Sequence, residues 1–172
     1  MQLEALDVKA IPAEALETTE ADCFWCMSQL VGAIQDHYIF AQPGIQRMVF
    51  KLSEIVRRVD ATLHEHITSE GLQFIQFAFR WMNNMLMREL SLPHVIRVWD
   101  TYMSEENTAG FKMFHVYVCA ALMMRWADEL KKMPFQDLVL FRTHLIIFCG
   151  FNGRACVWIS IALNGCIVLI LF

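Results

Sequence analysis

The sequence predicts an all-α fold, and three observations support this prediction. Apolar residues recur at steps of three and four along much of the chain, for example at Phe24, Met27 and Val31, which is the spacing of one helix face. No segment alternates polar and apolar residues over enough positions to predict a strand. Breaks that contain proline, at residues 42–44 and 91–93, separate the apolar runs. With 172 residues, of which 56% are hydrophobic, the chain is expected to form one domain with a substantial core.

The stretch from residue 74 to residue 102 is the expected centre of the fold. It predicts a helix that is apolar on most sides, then a short break at residues 91–93, then a second short helix. The apolar positions of the first helix form two adjacent stripes: Phe74, Ala78, Met82 and Met85, and Phe77, Trp81 and Met85. Its charged residues, Arg80, Arg88 and Glu89, are expected to be paired, because burying a charge without a partner is costly.

Further helices are expected on both sides of this centre. Residues 1–19 are acidic and predict a loop, and Thr19 followed by Asp22 predicts a capping box that starts a helix ending near residue 40. The later helices are expected at residues 45–67, 111–130 and 135–148.

Charge and cysteine content exclude several classes of protein. The net charge is −4, and the first 22 residues carry −5 while the other 150 carry +1. The chain has no basic stripe, so nucleic-acid binding is not expected. Six cysteines are present, but no apolar signal segment follows Met1, so the cysteines are expected to be reduced thiols in a cytoplasmic protein.

The residue types that bind metals or act as nucleophiles are scattered. Cys23 and Cys26 form one C-x-x-C, but a zinc site needs four ligands and no second pair occurs, so both cysteines are expected in a helix core and no metal is expected. His115 is expected to be a hydrogen-bonded core residue. No phosphate-binding G-x-x-x-x-G-K-[ST] motif occurs, so the chain is not itself a P-loop nucleotide hydrolase.

Three segments together resemble a known family. Residues 77–90 (FAFRWMNNMLMREL) with 97–100 (RVWD), residues 20–27 (EADCFWCM) and residues 40–46 (FAQPGIQ) are similar to the second half of a TBC domain, the fold of Rab GTPase-activating proteins. The resemblance extends from about residue 20 to about residue 141 and is closest to the member 22 branch. It implies a Rab-family small GTPase as partner, a role in vesicle trafficking, and a regulator of GTP hydrolysis rather than an enzyme in its own right.

The resemblance also implies two catalytic motifs that this sequence lacks. In the family, an arginine within I-x-x-D-x-x-R and a glutamine within Y-x-Q are supplied in trans to the bound GTPase. Neither motif occurs: Tyr38, Tyr102 and Tyr117 are followed two positions later by phenylalanine, serine and cysteine. We therefore assign no catalytic residue and no cofactor, and expect Met1 to lie inside the family's domain, after both motifs. The alternative is a non-catalytic helical adaptor that binds small GTPases or other proteins.

The expected organisation is an acidic loop at residues 1–19, the C-terminal part of a TBC-like helical domain at 20–148, and an apolar tail at 149–172. Residues 155–172 carry no charge, and as a helix they would be about 27 Å long, close to the thickness of a bilayer core. Three interpretations of the tail stay open. The first is a membrane anchor, which would place the chain at an endomembrane. The second is a core segment of the fold. The third is an aberrant end, such as read-through into non-coding sequence.

Overall fold

The helices of the chain confirm the predicted all-α fold class. The structure is a computed structural model that describes residues 11–105 and 110–140, together with the backbone of two strands within residues 158–171. The helices are, in chain order, α1 Ala13–Ala33, α2 Pro43–Val59, α3 Ala61–Ser69, α4 Phe74–Asn84, α5 Leu92–Ser104, α6 Met113–Arg125 and α7 Ala127–Leu130, and residues 135–140 are also helical. Residues 1–35 and 36–172 form two separate units.

Helix α1 starts earlier than the sequence predicted. Residues 13–19, expected in the acidic loop, form its first turns, and the Pro12 carbonyl accepts a hydrogen bond from the Ala15 N–H (3.0 Å). The predicted capping box is wrong, because Thr19 lies inside the helix and its hydroxyl donates to the Ala15 carbonyl (2.7 Å). The helix ends at Ala33 and a 3₁₀ turn follows, whereas residues 1–10 of the expected loop lie outside the described residues.

The helix predicted over residues 45–67 is two helices, because the chain breaks at Asp60. The backbone of Asp60 is not helical (φ −144°, ψ 86°), and its carboxylate accepts hydrogen bonds from the Leu63 N–H (3.0 Å) and the Thr62 hydroxyl (2.7 Å). Aspartate is a preferred residue at a helix N-cap, so this local bond competes with continuation of α2. Val59 at the end of α2 is 46% exposed, whereas the other apolar residues at helical spacing on the two helices are buried: Leu52, Ile55, Val56, Leu63 and Ile67.

Helix α4 ends at Asn84, before the predicted break at residues 91–93. Met85 and Leu86 adopt left-handed backbone conformations (φ 49° and 60°), which end the helix. The Trp99 indole N–H on α5 donates to the Met85 carbonyl (3.2 Å) and thereby holds this turn. Both predicted stripes of α4 are nevertheless buried, since each of their residues is at most 8% exposed.

Helix α6 is more completely buried than the expected centre of the fold. Eight of its thirteen residues are buried, compared with five of eleven in α4. Its sequence carries no acidic residue, lysine or arginine from Met113 to Met124, which is typical of a helix covered on all sides. The helix predicted over residues 111–130 is divided at Trp126 into α6 and α7. Of the helix predicted over 135–148, residues 135–140 are confirmed and residues 141–148 lie outside the described residues.

Part of the apolar tail forms two strands, whereas a membrane anchor would require one helix. Strands β1 Trp158–Leu163 and β2 Cys166–Leu171 pair antiparallel, with Leu163 opposite Cys166. The helical form considered for residues 155–172 is not found at residues 158–163 and 166–171, and the other residues of this range lie outside the described residues. Isoleucine and valine favour strands, and the sequence between the strands is Asn-Gly, a strong hairpin signal that the search for alternation overlooked. Among the described residues, no helix has both the length and the apolar character needed to cross a membrane.

We predict that Asp60→Ala lowers the free energy of unfolding by about 1 kcal/mol at neutral pH, the usual value of an N-cap. Burial raises the pKa of the Asp60 carboxyl, but the hydrogen bonds from Lys131, Leu63 and Thr62 outweigh this effect and leave the pKa below its usual value. A depressed folded-state pKa means that the stabilisation is present at neutral pH and is lost as the pH falls below about 4. Urea denaturation at pH 7 and pH 3 measures both effects.

The matched control is Glu65→Ala, at an exposed position of the same helix α3. An equal loss of stability for Asp60→Ala at both pH values would contradict the assigned role of the carboxylate.

Candidate functional site

A buried polar network joins α4, α5 and α6 around His115. The His115 side chain is fully buried, with Nδ1 2.8 Å from the Tyr102 hydroxyl and Nε2 3.1 Å from the Trp81 carbonyl oxygen. Because a carbonyl oxygen only accepts, Nε2 carries the proton and the Tyr102 hydroxyl donates to Nδ1. The Cys119 sulfur lies 3.5 Å from the same Nε2. The prediction that His115 is a hydrogen-bonded core residue is confirmed.

The network pairs a histidine with a cysteine, but its electrostatics exclude nucleophilic chemistry. Burial lowers the pKa of His115 to about 3, which the bond to the Trp81 carbonyl only partly offsets. Burial also raises the pKa of the Cys119 thiol well above its usual value. At neutral pH the imidazole is therefore neutral and the sulfur is a thiol, whereas a nucleophilic cysteine needs its thiolate form and access to solvent. The role of this network is structural.

Two of the three charged residues that were expected to be paired, Arg80 and Glu89, form an ion pair with each other, whereas Arg88 is exposed. Arg80 donates two hydrogen bonds to the Glu89 carboxylate, from Nε (2.7 Å) and from Nη2 (2.6 Å). The Glu89 side chain is fully buried and that of Arg80 is 23% exposed. The left-handed turn after α4 reverses the chain and brings Glu89 back beside Arg80. A bidentate pair of this kind fixes the position of the turn as well as neutralising the buried charge.

A second polar cluster surrounds the 3₁₀ turn that precedes α2. The Asp36 carboxylate forms ion pairs with Arg47 and with Lys112 (3.8 Å). The His37 ring is fully buried, and within the described residues neither ring nitrogen has a hydrogen-bond partner. Gly44 packs against this turn so closely that a Cβ would lie 2.5 Å from His37 Cδ2, so the position requires glycine.

The candidate metal ligands do not come together. Cys23 and Cys26 lie on α1 as predicted, but both are exposed, so their expected place in a helix core is wrong. The His64 ring lies 3.0 Å from the Ser53 hydroxyl, and the His66 ring lies 2.9 Å from the Met133 carbonyl oxygen. The two histidines therefore have different hydrogen-bond partners. Over residues 11–105 and 110–140, no group of three or more histidine, cysteine or acidic side chains is arranged to hold a metal ion.

An open concave surface lies between α2 and α4, and we call it the α2–α4 groove. Its volume is about 510 Å³. The groove is lined by apolar and uncharged polar residues of both helices and the turn before them: Ala41, Gln42, Ile45, Gln46, Val49, Phe50 and Ser53, and Phe74, Ile75 and Phe79. Phe50 and Phe79 are exposed within it. Sequence analysis missed this groove, because it arises from the pairing of two helices and has no local signal.

These observations define an all-α domain in which buried polar networks join the helices and an open groove lies between α2 and α4. The Rab-GTPase-TBC domain family model matches residues 9–131. The solved crystal structure of the Ypt/Rab-GAP domain of Gyp1p superposes with a TM-score of 0.67 and 51% sequence identity, covering 72% of this chain and 38% of that chain. The chain therefore belongs to the Rab-GTPase-TBC domain family, and the resemblance seen in its motifs is confirmed.

Curated relatives agree with this assignment. TBC1 domain family member 22A of Macaca fascicularis is 51% identical over 145 residues, which are 84% of this chain and 29% of that protein. GTPase-activating protein gyp1 of Schizosaccharomyces pombe is 55% identical over 122 residues, which are 71% of this chain and 24% of that protein. The chain thus spans less than a third of the length of these relatives.

We predict that Arg80→Met lowers the free energy of unfolding by about 3 kcal/mol, because it leaves the Glu89 carboxylate buried without its partner. The double variant Arg80→Met/Glu89→Leu should recover most of this loss, since an apolar pair can replace a buried ion pair. Chemical denaturation measures both, with Arg88→Met at an adjacent exposed position as the control. A loss below about 1 kcal/mol for Arg80→Met would show that the pair is not needed for stability.

We also predict that stability falls as the pH is lowered from 6.5 to 4, by up to about 1.4 kcal/mol per pH unit for His115. Below its ordinary pKa, His115 binds a proton in the unfolded chain, but in the folded chain it stays neutral until a pKa of about 3. His115→Gln should reduce this slope and leave the part that His37 contributes, because burial lowers the pKa of His37 as well, whereas His94→Gln, at an exposed position, should keep the full slope. Unfolding free energies measured at intervals across this range provide the test, and a slope unchanged in His115→Gln would refute it.

Proposed function

We propose that this chain functions in the activation of Rab GTPases, as part of a TBC-type GTPase-activating protein. The observation that supports this most strongly is the family match over residues 9–131, with 51–55% identity to proteins named for this activity or for the TBC domain. The partner is a Rab-family small GTPase, and the chain acts on the cytoplasmic side of endomembranes, where such GTPases work.

These 172 residues do not contain the two catalytic motifs of the family. In TBC domains the arginine neutralises charge that develops on the transferred phosphoryl group, and the glutamine positions the attacking water. Neither I-x-x-D-x-x-R nor Y-x-Q occurs in the 172 residues. An arginine of this type contributes about 10³ to 10⁵ in rate. That range corresponds to roughly 4 to 7 kcal/mol of transition-state stabilisation.

The second candidate is a non-catalytic helical adaptor, and the α2–α4 groove favours it. An open apolar groove of about 510 Å³ with exposed aromatic residues is a surface that can hold a helix of another protein. The two candidates differ in one measurable respect: the adaptor binds a partner without contributing to GTP hydrolysis even when both catalytic motifs are provided.

We predict that the 172-residue chain alone accelerates single-turnover GTP hydrolysis by less than about tenfold on any member of a Rab panel, since it lacks the arginine. The positive control is the GAP domain of the S. pombe relative. Acceleration above that limit would contradict the assignment of catalysis to residues outside this sequence.

A chimera distinguishes the two candidates. Residues 9–131 of this chain replace the matching part of the S. pombe domain, whose remaining part supplies the segment that carries both motifs in the family. Rab GTPase activation predicts that the chimera stays active, whereas an inactive but folded chimera would favour the adaptor.

A further inference from the structure

The 3₁₀ turn Gln35–His37 buries a titratable side chain. The His37 ring is fully buried, and in the part of the chain that the structure describes neither its two nitrogens nor Asp36 Oδ1 has a hydrogen-bond partner. His37 Nε2 lies 3.8 Å from this oxygen, which is too far for a hydrogen bond. Both side chains pack against Gly44, where an added Cβ would lie 2.5 Å from His37 Cδ2 and 2.8 Å from Asp36 Oδ1. The ring therefore has little room to move toward the carboxylate.

The charged and titratable groups that face His37 do not favour a proton on its ring. Asp36 would attract a positive ring, but its Oδ2 already pairs with Arg47 on α2 and with Lys112 before α6. Burial lowers the pKa of His37, and Asp36 only partly opposes this effect, while Lys112 lowers the pKa further, as does Arg47. The fourth group is His115 on α6, whose pKa is lowered mainly by burial and to a smaller extent by His37. Water therefore accommodates a protonated His37 ring better than this site does.

The segment that leads from the 3₁₀ turn into α2 is strained and forms one rim of the α2–α4 groove. Ala41 and Gln42 line the groove, and both have left-handed backbones (φ 61° and 45°), which residues with a side chain disfavour. The Gln42 N–H donates to the Ile39 carbonyl (2.9 Å). The Tyr38 hydroxyl donates to the Asn83 carbonyl at the end of α4 (3.3 Å). An opening of this segment would release the backbone strain and change the rim of the groove.

We propose that residues 36–42 form an acid-sensitive rim of the α2–α4 groove, which separates from α2 and α6 when His37 takes up a proton. In the closed form the neutral ring is buried and Asp36 bridges Arg47 and Lys112. In the open form the charged ring is hydrated. Because the pKa of His37 in the closed form lies below its ordinary value of 6.5, opening takes up one proton in acid. The opening equilibrium constant therefore rises by up to about tenfold per pH unit below pH 6.5.

Hydrogen exchange of the full 172-residue chain, followed by NMR without any GTPase, tests this proposal. The reporter is the Gln42 N–H, because its bond to the Ile39 carbonyl breaks when the segment opens. Its protection factor, which corrects for the intrinsic effect of pH on exchange, should fall by up to about tenfold per pH unit from pH 6.5 to about 5. Low concentrations of urea should leave this factor unchanged, since a local opening exposes little surface, whereas urea should lower the protection of the α6 amides.

Three histidine substitutions separate this opening from global unfolding. His37→Asn should make the Gln42 protection factor independent of pH, because asparagine does not titrate. His115→Gln, at the other fully buried histidine, should keep the pH dependence at Gln42. His94→Gln, at an exposed position, should keep it as well. Circular dichroism of each variant checks that the helices are intact.

The wild-type chain alone can overturn the proposal, even if a variant does not fold. A Gln42 protection factor that stays constant from pH 6.5 to about 5 would do so, as would a response to urea equal to that of the α6 amides. NMR signals of the His37 ring give a further test. A ring that becomes protonated near pH 6.5 while the Gln42 N–H stays protected would show that the closed form holds the proton. Among the variants, an unchanged pH dependence at Gln42 in folded His37→Asn would refute the role of His37.

Discussion

The hydrogen bonds of the neutral His115 imidazole are the interaction on which the described helices most depend. One side chain of α6 bonds to α4 through the Trp81 carbonyl and to α5 through the Tyr102 hydroxyl. Its position requires a single tautomer and a single charge state, because an imidazolium ion would lose the bond from Tyr102 and place an uncompensated charge in the core. Burial, which lowers the pKa of His115 to about 3, keeps the imidazole in this neutral form at neutral pH.

The hydrogen bonds of His115 also affect the end of helix α4. The Trp81 carbonyl that binds His115 also accepts the Leu86 N–H (3.3 Å), so the network caps the helix where the chain turns left-handed. Two non-glycine residues in that conformation are costly, roughly 1–2 kcal/mol each. The cost is offset by tertiary bonds to the turn, from Trp99 on α5 and through the pair of Glu89 with Arg80. Packing, capping and charge pairing thus fix the same turn.

Only part of this structure could be predicted from the sequence. Periodicity located the buried faces of α2 and α4 because burial follows local spacing. Asp60 and the Asn-Gly between the strands carry local signals for a helix cap and a hairpin, so those features were predictable although they were overlooked. The turn at Met85 and Leu86 was not predictable, since neither residue favours a left-handed backbone. The α2–α4 groove was equally inaccessible, because it depends on how two helices pair.

The fold of this chain and the catalytic motifs of its family involve different residues. The side chains of His115, Tyr102 and Glu89 are buried, and together with Arg80, which is 23% exposed, they form bonds that hold the helices. In a GTPase-activating protein the rate depends on two side chains placed to within about an ångström, so the scaffold contributes by holding their positions. A segment can therefore share half its residues with such proteins, and keep their fold, while the chemistry lies in motifs it does not contain.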